Sequence, residues 1–312
     1  MTYEEFLSYI QEHIRGFLPE EYQELTPHLR TVMKNNGVSY DGLTFSSDGL
    51  TASPVIYLNS FYKEYTEGTD IDEVLKKISS ICEKNRPAVT FDFSLLTDYE
   101  RAKEQISCRL VGRERNEELL LDGPFTPVED LAVIYYLDTG SIGEYSGHIH
   151  INREIFDRYG VPVETMHRQA LANMKTQSPV VIRGIFEMLF GQPPSEKEIL
   201  FVVTNESGTY GAAGIMDPEV LTRLTEYVGN NYYILPSSVH EVLVASKANG
   251  ITEKELRQMV QKVNRSAVKP EEWLSDSVYE YDAKTQRLSR CEDSRDMEIR
   301  KQQDGHEKSI GR

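Results

Sequence analysis

His148 and His150 lie two positions apart in the stretch YSGHIHI. On a β-strand their imidazole rings would point to the same face and supply two ligands to a divalent metal ion. Ile149 and Ile151 would take the other face, so the histidine face is equally the polar side of an amphipathic strand. The sequence places no third ligand. The pair therefore predicts either half of a metal site or, as the favoured interpretation, a structural or solvated strand face.

His240 and Glu241 follow Ser237 and Ser238, and these residue types serve in acid-base or nucleophilic catalysis. Neighbouring strand residues point to opposite faces, so His240 and Glu241 are poorly placed to share a proton. No Gly-x-Ser-x-Gly elbow surrounds either serine. The favoured interpretation is a turn in which the serine hydroxyls satisfy nearby backbone groups. Ser238, His240 and Glu241 remain the candidate catalytic residues.

Glycines at 208, 211 and 214 resemble a nucleotide loop only superficially. Their spacing fits neither common glycine-rich fingerprint, and the next helix begins only after Asp217-Pro218. We therefore predict a hairpin whose small residues pack against a helix, and no cofactor is implied. Arg109, Arg113 and Arg115 form a local basic group, but two glutamates follow at once, which favours a solvated helix face.

Composition limits the partners. The chain carries 34 Lys and Arg against 50 Asp and Glu, a formal net charge of −16, and such a surface repels nucleic acid and anionic membranes. Three widely spaced cysteines without a CxxC pair favour a reducing cytoplasm. The N-terminus lacks the pattern of a signal peptide, and no window is apolar enough to span a bilayer. We expect a cytoplasmic protein whose partner is another protein or a small molecule.

The first part of the chain predicts a small α+β unit. Thr2 and Glu5 form a capping box before a helix that runs to about residue 17. Residues 28–34 and 38–46 predict a hairpin across Asn-Asn-Gly, and residues 54–59 a third strand. Two helices follow, interrupted near Gly68. A further helix is expected from Thr97 to about Ser107, and the unit ends near residue 123.

The second part predicts a strand, turn, strand and capped helix three times. The predicted strand pairs are 131–137 with 145–151, 199–205 with 210–216, and 232–235 with 239–245. Short turns make neighbouring strands antiparallel, so the units predict one antiparallel sheet with helices layered on a face. Residues 164–190 predict one or two more helices, and 278–289 a hairpin. The fold class is α+β, with domains at 1–123 and 124–291 and a disordered polar tail at 292–312.

Several stretches resemble a bacterial family described only as a domain of unknown function. They are YILPSSVHEV at 233–242, EEWLSDSVYEY at 271–281, GAAGIMDPEVL at 211–221, PVIYLNSFYKEYTEG at 54–68 and the long stretch at 91–120 that contains ISCRLVG. The resemblance spans nearly the whole chain apart from the polar tail. It implies a bacterial cytoplasmic protein whose fold uses the entire length as a unit, and it supplies no activity, cofactor or catalytic residue.

Three functional hypotheses follow. No complete catalytic constellation occurs in the sequence, which favours a non-catalytic binding or regulatory module. The first alternative is a metal-assisted hydrolase that uses His148 and His150, with His240 or Glu241 contributed from a neighbouring strand. The second alternative is a self-associating scaffold in which an exposed strand edge pairs with another copy.

Overall fold

A computed structural model describes residues 1–46, 55–84, 92–142, 145–191, 198–236 and 238–291 of the 312-residue chain. The segment predicted to be a polar tail lies outside these residues. The chain divides into two compact units that are discontinuous in sequence: Met1–Cys108 with Arg115–Thr126 and Ile134–Asn173, and Arg109–Glu114 with Pro127–Val133 and Met174–Arg312. The predicted border at residue 123 remains a prediction.

The described residues contain ten α-helices and several short 3-10 helices. The α-helices are α1 (Tyr3–His13), α2 (Asn59–Thr66), α3 (Ile71–Lys84), α4 (Tyr99–Ala102), α5 (Glu117–Asp122), α6 (Arg153–Tyr159), α7 (Val163–Gln177), α8 (Ile185–Phe190), α9 (Pro218–Val228) and α10 (Glu253–Ala267). The 3-10 helices are Ile14–Phe17, Glu20–Tyr22, Asn35–Gly37, Phe93–Leu96, Lys103–Gln105, Gly211–Met216, Lys247–Asn249 and Pro270–Glu272. Among these residues no helix is both long and apolar enough to cross a bilayer.

The strands form three antiparallel sheets, which confirms the α+β class. They are β1 (Thr26–Met33), β2 (Ser39–Ser46), β3 (Ile56–Tyr57), β4 (Ile106–Gly112), β5 (Phe125–Val128), β6 (Leu131–Ile142), β7 (Tyr145–His150), β8 (Val180–Gly184), β9 (Leu200–Asn205), β10 (Asn231–Leu235), β11 (Val242–Ser246), β12 (Tyr279–Asp282) and β13 (Arg287–Arg290). The strand orders are β1-β2-β3, then β4-β6-β5 with β7 paired to β6, and β13-β12-β10-β11-β9-β8.

The first predicted helix and the hairpin that follows it are confirmed, whereas the third strand, β3, is shorter than the predicted 54–59. Thr2 and Glu5 form the reciprocal capping box of α1. β1 and β2 pair antiparallel, with Met33 opposite Ser39. Between them Asn36 has φ 62°, a left-handed conformation that asparagine tolerates better than most residues. Together α1, α2, α3 and this sheet enclose a core of buried aliphatic and aromatic side chains.

The six-stranded sheet carries helices on both faces. Tyr232 in β10 donates its hydroxyl to the carbonyl of Leu221 in α9 at 2.7 Å. Leu235, three residues further along the same strand, packs in a buried cluster with Leu256 of α10. Because side chains an odd number of residues apart point to opposite faces of a strand, α9 and α10 cover opposite faces.

Two of the three predicted repeats are confirmed, but the second is wrong in part. The segment predicted as a strand at 210–216 is the 3-10 helix Gly211–Met216. A Cβ added to Gly211 would lie 2.5 Å from the Asn205 nitrogen, and one added to Gly214 would lie 2.7 Å from Val180 Cγ2. The glycines therefore let this helix approach β9 and β8 closely, and they form neither a strand nor a phosphate loop.

Three further expectations are corrected. The helix predicted from Thr97 to about Ser107 spans only Tyr99–Ala102 and is capped by Asp98. The strand β4 begins at Ile106, and its first buried residues alternate with partly exposed ones, which is typical of a strand. Arg109 consequently lies on a strand and not on a helix face. The strand β8 was missed within the segment predicted to be helical. The hairpin of β6 and β7 belongs to a different sheet from the other two repeats, so the prediction of one common sheet is wrong.

Candidate functional site

His240 lies in the segment between β10 and β11, and this segment is held by hydrogen bonds on several sides. The His240 amide donates to Ser238 Oγ at 3.1 Å, and Thr204 Oγ1 donates to the His240 carbonyl at 2.9 Å. The Val239 amide donates to the carbonyl of Glu272 at 2.8 Å. The predicted turn with serine hydroxyls bound to the backbone is confirmed at Ser238, while Ser237 lies outside the described residues.

Tyr210 precedes the 3-10 helix Gly211–Met216 in a left-handed conformation, with φ 56°. For a bulky residue this conformation costs on the order of 1 kcal/mol and persists only where the surroundings impose it. Asn205 helps to impose it, because its side chain donates to the Thr209 carbonyl at 2.8 Å and accepts from the Thr209 amide at 3.1 Å. The strained backbone directs the Tyr210 ring towards His240.

Four side chains then form a continuous group, which we call the His240 cluster: Arg109, Tyr210, His240 and Glu272. The Arg109 guanidinium carbon lies 3.6 Å from the centre of the Tyr210 ring, a cation–π contact. The Tyr210 and His240 ring centres are 5.3 Å apart. Glu272 Oε1 lies 3.8 Å from His240 Nε2, and both of these side chains are 28% exposed.

The tautomer of His240 follows from its main-chain contact. The Tyr210 amide donates to His240 Nδ1 at 3.2 Å, so Nδ1 carries no proton and the neutral ring carries its proton on Nε2. The distance from Nε2 to Glu272 exceeds that of a hydrogen bond. Glu272 instead accepts from Lys269 Nζ at 3.1 Å. The ring is thus a positioned donor whose basic nitrogen is already occupied.

The arrangement differs from the one expected for catalysis. Ser238 contacts His240 through the His240 main-chain amide, and its hydroxyl is an acceptor there. The carboxylate beside the ring belongs to Glu272, whereas Glu241 immediately precedes β11. These contacts contain no hydroxyl that the imidazole could deprotonate. The catalytic assignment of Ser238, His240 and Glu241 therefore remains a prediction, and within the described residues the Ser238 hydroxyl is not paired with the His240 ring.

His148 and His150 lie on β7 in the other compact unit and share one face of the strand, as predicted. His148 is exposed and lies opposite Asp138. The side chain of His150 is 17% exposed, with Nδ1 3.5 Å from Asp122 Oδ2 and its ring against Tyr136. Within the described ranges no three or more His, Cys, Asp or Glu side chains group in a way that could hold a metal. The metal assignment stays a prediction that lacks a third ligand.

A second polar group in the same unit as the His240 cluster surrounds Asp130, in the turn between β5 and β6. Its carboxylate accepts from Ser275 Oγ at 3.2 Å and Ser277 Oγ at 2.9 Å, and from the hydroxyl of Tyr279. We call these four residues the Asp130 cluster. Tyr279 is almost fully buried, and burial, followed by the charge of Asp130, raises its pKa well above the ordinary value. These hydrogen bonds attach the turn between β5 and β6 to the segment at the start of β12.

Sequence reasoning missed Arg109, Tyr210, Glu272 and Asp130 as site residues. A usable signal existed in the stretches that carry the family resemblance. YILPSSVHEV and EEWLSDSVYEY pair with each other, since Ser238 and Trp273 form an antiparallel bridge. Arg109 lies in ISCRLVG, and Tyr210 immediately precedes GAAGIMDPEVL. Segments that are far apart in the sequence thus meet at the His240 cluster.

Comparison with known proteins gives a family and no activity. No curated protein and no solved structure matches the chain. A family model described as "Family of unknown function (DUF5688)" matches residues 3–283, which is most of the chain. The chain therefore belongs to this family of unknown function.

Proposed function

We propose that this protein is a non-catalytic binding module and that its ligand, another protein, binds at the His240 cluster. The observation that carries the proposal is the hydrogen bond from the Tyr210 amide to His240 Nδ1. It occupies the nitrogen that a general base needs, and the remaining polar group of the ring is Nε2–H, a donor. A fixed donor suits recognition better than proton transfer.

The residue types in the His240 cluster and at the neighbouring Trp273 support a protein ligand. Arginine, tyrosine and tryptophan are the side chains that most often dominate the energy of protein interfaces. Arg109, Tyr210 and Trp273 are all half-buried, so each is held by its neighbours and still presents part of its surface. Aromatic rings with few rotatable bonds lose little entropy on binding.

The framework of the cluster supports the proposal further. The Ala212 amide donates to Val239 and the Ser275 amide donates to Pro236, in addition to the contacts of His240 itself. These bonds attach the segment to the 3-10 helix Gly211–Met216 on one side and to residues 272–275 on the other. Recognition surfaces gain affinity when their geometry is fixed before binding.

The test compares variants of the cluster with matched variants elsewhere. Purified chain is used to capture proteins from a lysate of the source organism, in parallel with Arg109→Ala and His240→Ala. Arg30→Ala and His13→Ala, at exposed positions of the other compact unit, are the controls. We expect one protein to be captured by the wild type and both controls, and its recovery to fall at least about tenfold with each cluster variant.

A catalytic role predicts a different result. Purified wild-type protein and His240→Gln are each incubated with a small-molecule extract of the same cells, and the products are followed by mass spectrometry. The binding proposal expects no product that exceeds the amount of protein added. Many turnovers per molecule that disappear in His240→Gln would overturn it.

A further inference from the structure

The two edges of the six-stranded sheet differ in chemistry. Edge strands present a row of backbone donors and acceptors, and natural proteins commonly protect this row with charged residues. The edge strand β13 reads RLSR, with Arg287 and Arg290 exposed at its ends. The opposite edge strand, β8, reads VVIRG and has three β-branched apolar residues, all half-buried, followed by Arg183. β8 is thus the apolar edge of the sheet.

Helix α8 follows β8 directly and exposes apolar side chains. The exposed fractions are 44% for Phe186, 46% for Met188 and 64% for Phe190, and the two phenyl rings stack at 5.9 Å. Of the eleven exposed large apolar side chains in the described residues, four lie between Phe186 and Ile199. Phe186 and Phe190, one helical turn apart, share a face of α8 and together expose about 200 Å², whereas Met188 lies on a different side of the helix.

The charge of β8 and α8 indicates which partner fits this surface. Residues 180–190 contain one arginine and one glutamate, and Glu198, which accepts from the Phe186 amide at 3.3 Å, adds one negative charge, so this region is nearly neutral in a chain whose net charge is −16. Two copies of such an acidic chain repel one another over most of their surfaces, and they repel least where a nearly neutral apolar region faces its own copy. This region therefore fits a second copy of the chain.

The antiparallel pairing of the strands in this sheet is compatible with a second copy of the chain as the partner. A strand that pairs with its own copy about a two-fold axis is necessarily antiparallel, and the strand pairs of this sheet are already antiparallel. Arg223 Nη2 donates to the Val180 carbonyl at 3.0 Å, so the new pairing would use residues 181–184. We propose that two copies of the chain associate through β8 and α8, continuing the sheet from one copy into the other.

The first measurement is the mass in solution by sedimentation velocity. An exposed patch of about 200 Å² is smaller than one partner's share of a standard interface, about 800 Å², so we expect a weak dimer that forms between about 1 µM and about 100 µM. The double variant Phe186→Ser with Phe190→Ser should weaken dimerisation at least about tenfold. Leu121→Ser removes an apolar side chain that is 79% exposed on α5, and it should leave dimerisation unchanged.

The second measurement tests the edge itself and does not depend on weakening the fold. Val181→Cys, Ile182→Cys and Arg183→Cys are made one at a time, and Ser289→Cys on β13 is the control. The three native cysteines are buried, so they should not compete in cross-linking. A two-fold pairing brings one position of β8 next to itself, and at least one of the three β8 variants should form an intermolecular disulfide on mild oxidation.

The outcomes separate the second copy from other occupants. A concentration-dependent dimer, weakened by the α8 variants and cross-linked at β8, supports the proposal. A monomer at every concentration overturns it and would mean that a different partner, or another part of the same chain, covers this surface. A dimer that persists in the α8 double variant and fails to cross-link at β8 also overturns it.

Discussion

The Asp130 cluster and the His240 cluster are both built from polar side chains of the same compact unit, and they differ in how their side chains are bonded to one another. In the Asp130 cluster three buried hydroxyls donate to one carboxylate, whose side chain is 31% exposed. In the His240 cluster the Tyr210 and His240 rings are tilted against each other, and the side chains of His240 and Glu272 make no direct hydrogen bond and are each 28% exposed. The first arrangement holds segments together, and we propose that the second presents groups to a ligand.

Removal of the Asp130 carboxylate should have the largest effect on stability. Asp130→Ala leaves the hydroxyls of Ser275, Ser277 and Tyr279 without their common acceptor, and an unsatisfied buried donor costs about 1–3 kcal/mol. We expect a loss of about 3 kcal/mol in the free energy of unfolding, measured by urea denaturation. Asp130→Asn keeps one acceptor oxygen and should lose less. Glu226→Ala, which removes an exposed carboxylate on α9, is the control. An equal loss of unfolding free energy in this variant would contradict the stabilising role of the Asp130 cluster.

Tyr279→Phe should have an intermediate effect that depends on pH. The variant removes one hydroxyl and should cost about 1 kcal/mol at neutral pH. Burial and the Asp130 charge raise the pKa of Tyr279 above the value of 10.0 that the unfolded chain has, so above pH 10 the unfolded state binds fewer protons than the folded state. Stability therefore falls as pH rises beyond that point.

The slope of this alkaline loss tests the assignment. Without the Tyr279 hydroxyl, the decline of unfolding free energy above pH 10 should be shallower by up to about 1.4 kcal/mol per pH unit. Urea denaturation at a series of pH values, compared between wild type and Tyr279→Phe, measures the difference. Tyr9→Phe, on the partly exposed surface of α1 in the other compact unit, is the matched control. Identical slopes for the wild type and Tyr279→Phe would contradict the raised pKa that burial and the Asp130 charge give Tyr279.

Local signals predicted much of the secondary structure because they depend on neighbours in sequence. Capping boxes at Thr2 and Thr252, the Asp217-Pro218 start of α9 and the Asn36 turn each involve residues within a few positions of one another. The errors occurred where distant packing decided the conformation. Gly211 and Gly214 belong to a 3-10 helix because β9 and β8 lie against it, and a single sequence does not show which strands those are.

The candidate site was predictable only in part for the same reason. His240 and Ser238 were candidates because of their residue types, and the predicted hydrogen bond between the Ser238 hydroxyl and the backbone is confirmed. The carboxylate beside His240 is 32 positions away at Glu272, and Arg109 and Tyr210 arrive from two other segments. Such partners are brought together by strand pairing, and reading residue types along a chain does not reveal them.

His240 should give the smallest change in stability, which makes it the sharpest test of the contrast between the two clusters. In His240→Asn the amide oxygen takes the place of Nδ1 and can still accept from the Tyr210 amide, so we expect a loss below about 0.5 kcal/mol. In His240→Gln the amide lies further from the main chain, the Tyr210 amide loses its acceptor, and a loss of about 1 kcal/mol follows. Both variants remove the imidazole ring and with it the contact to Tyr210, so both should lose ligand binding. If His240→Asn destabilised the protein as much as Asp130→Ala, the His240 cluster would be a structural joint like the Asp130 cluster, and its exposed edge would have no need of a ligand.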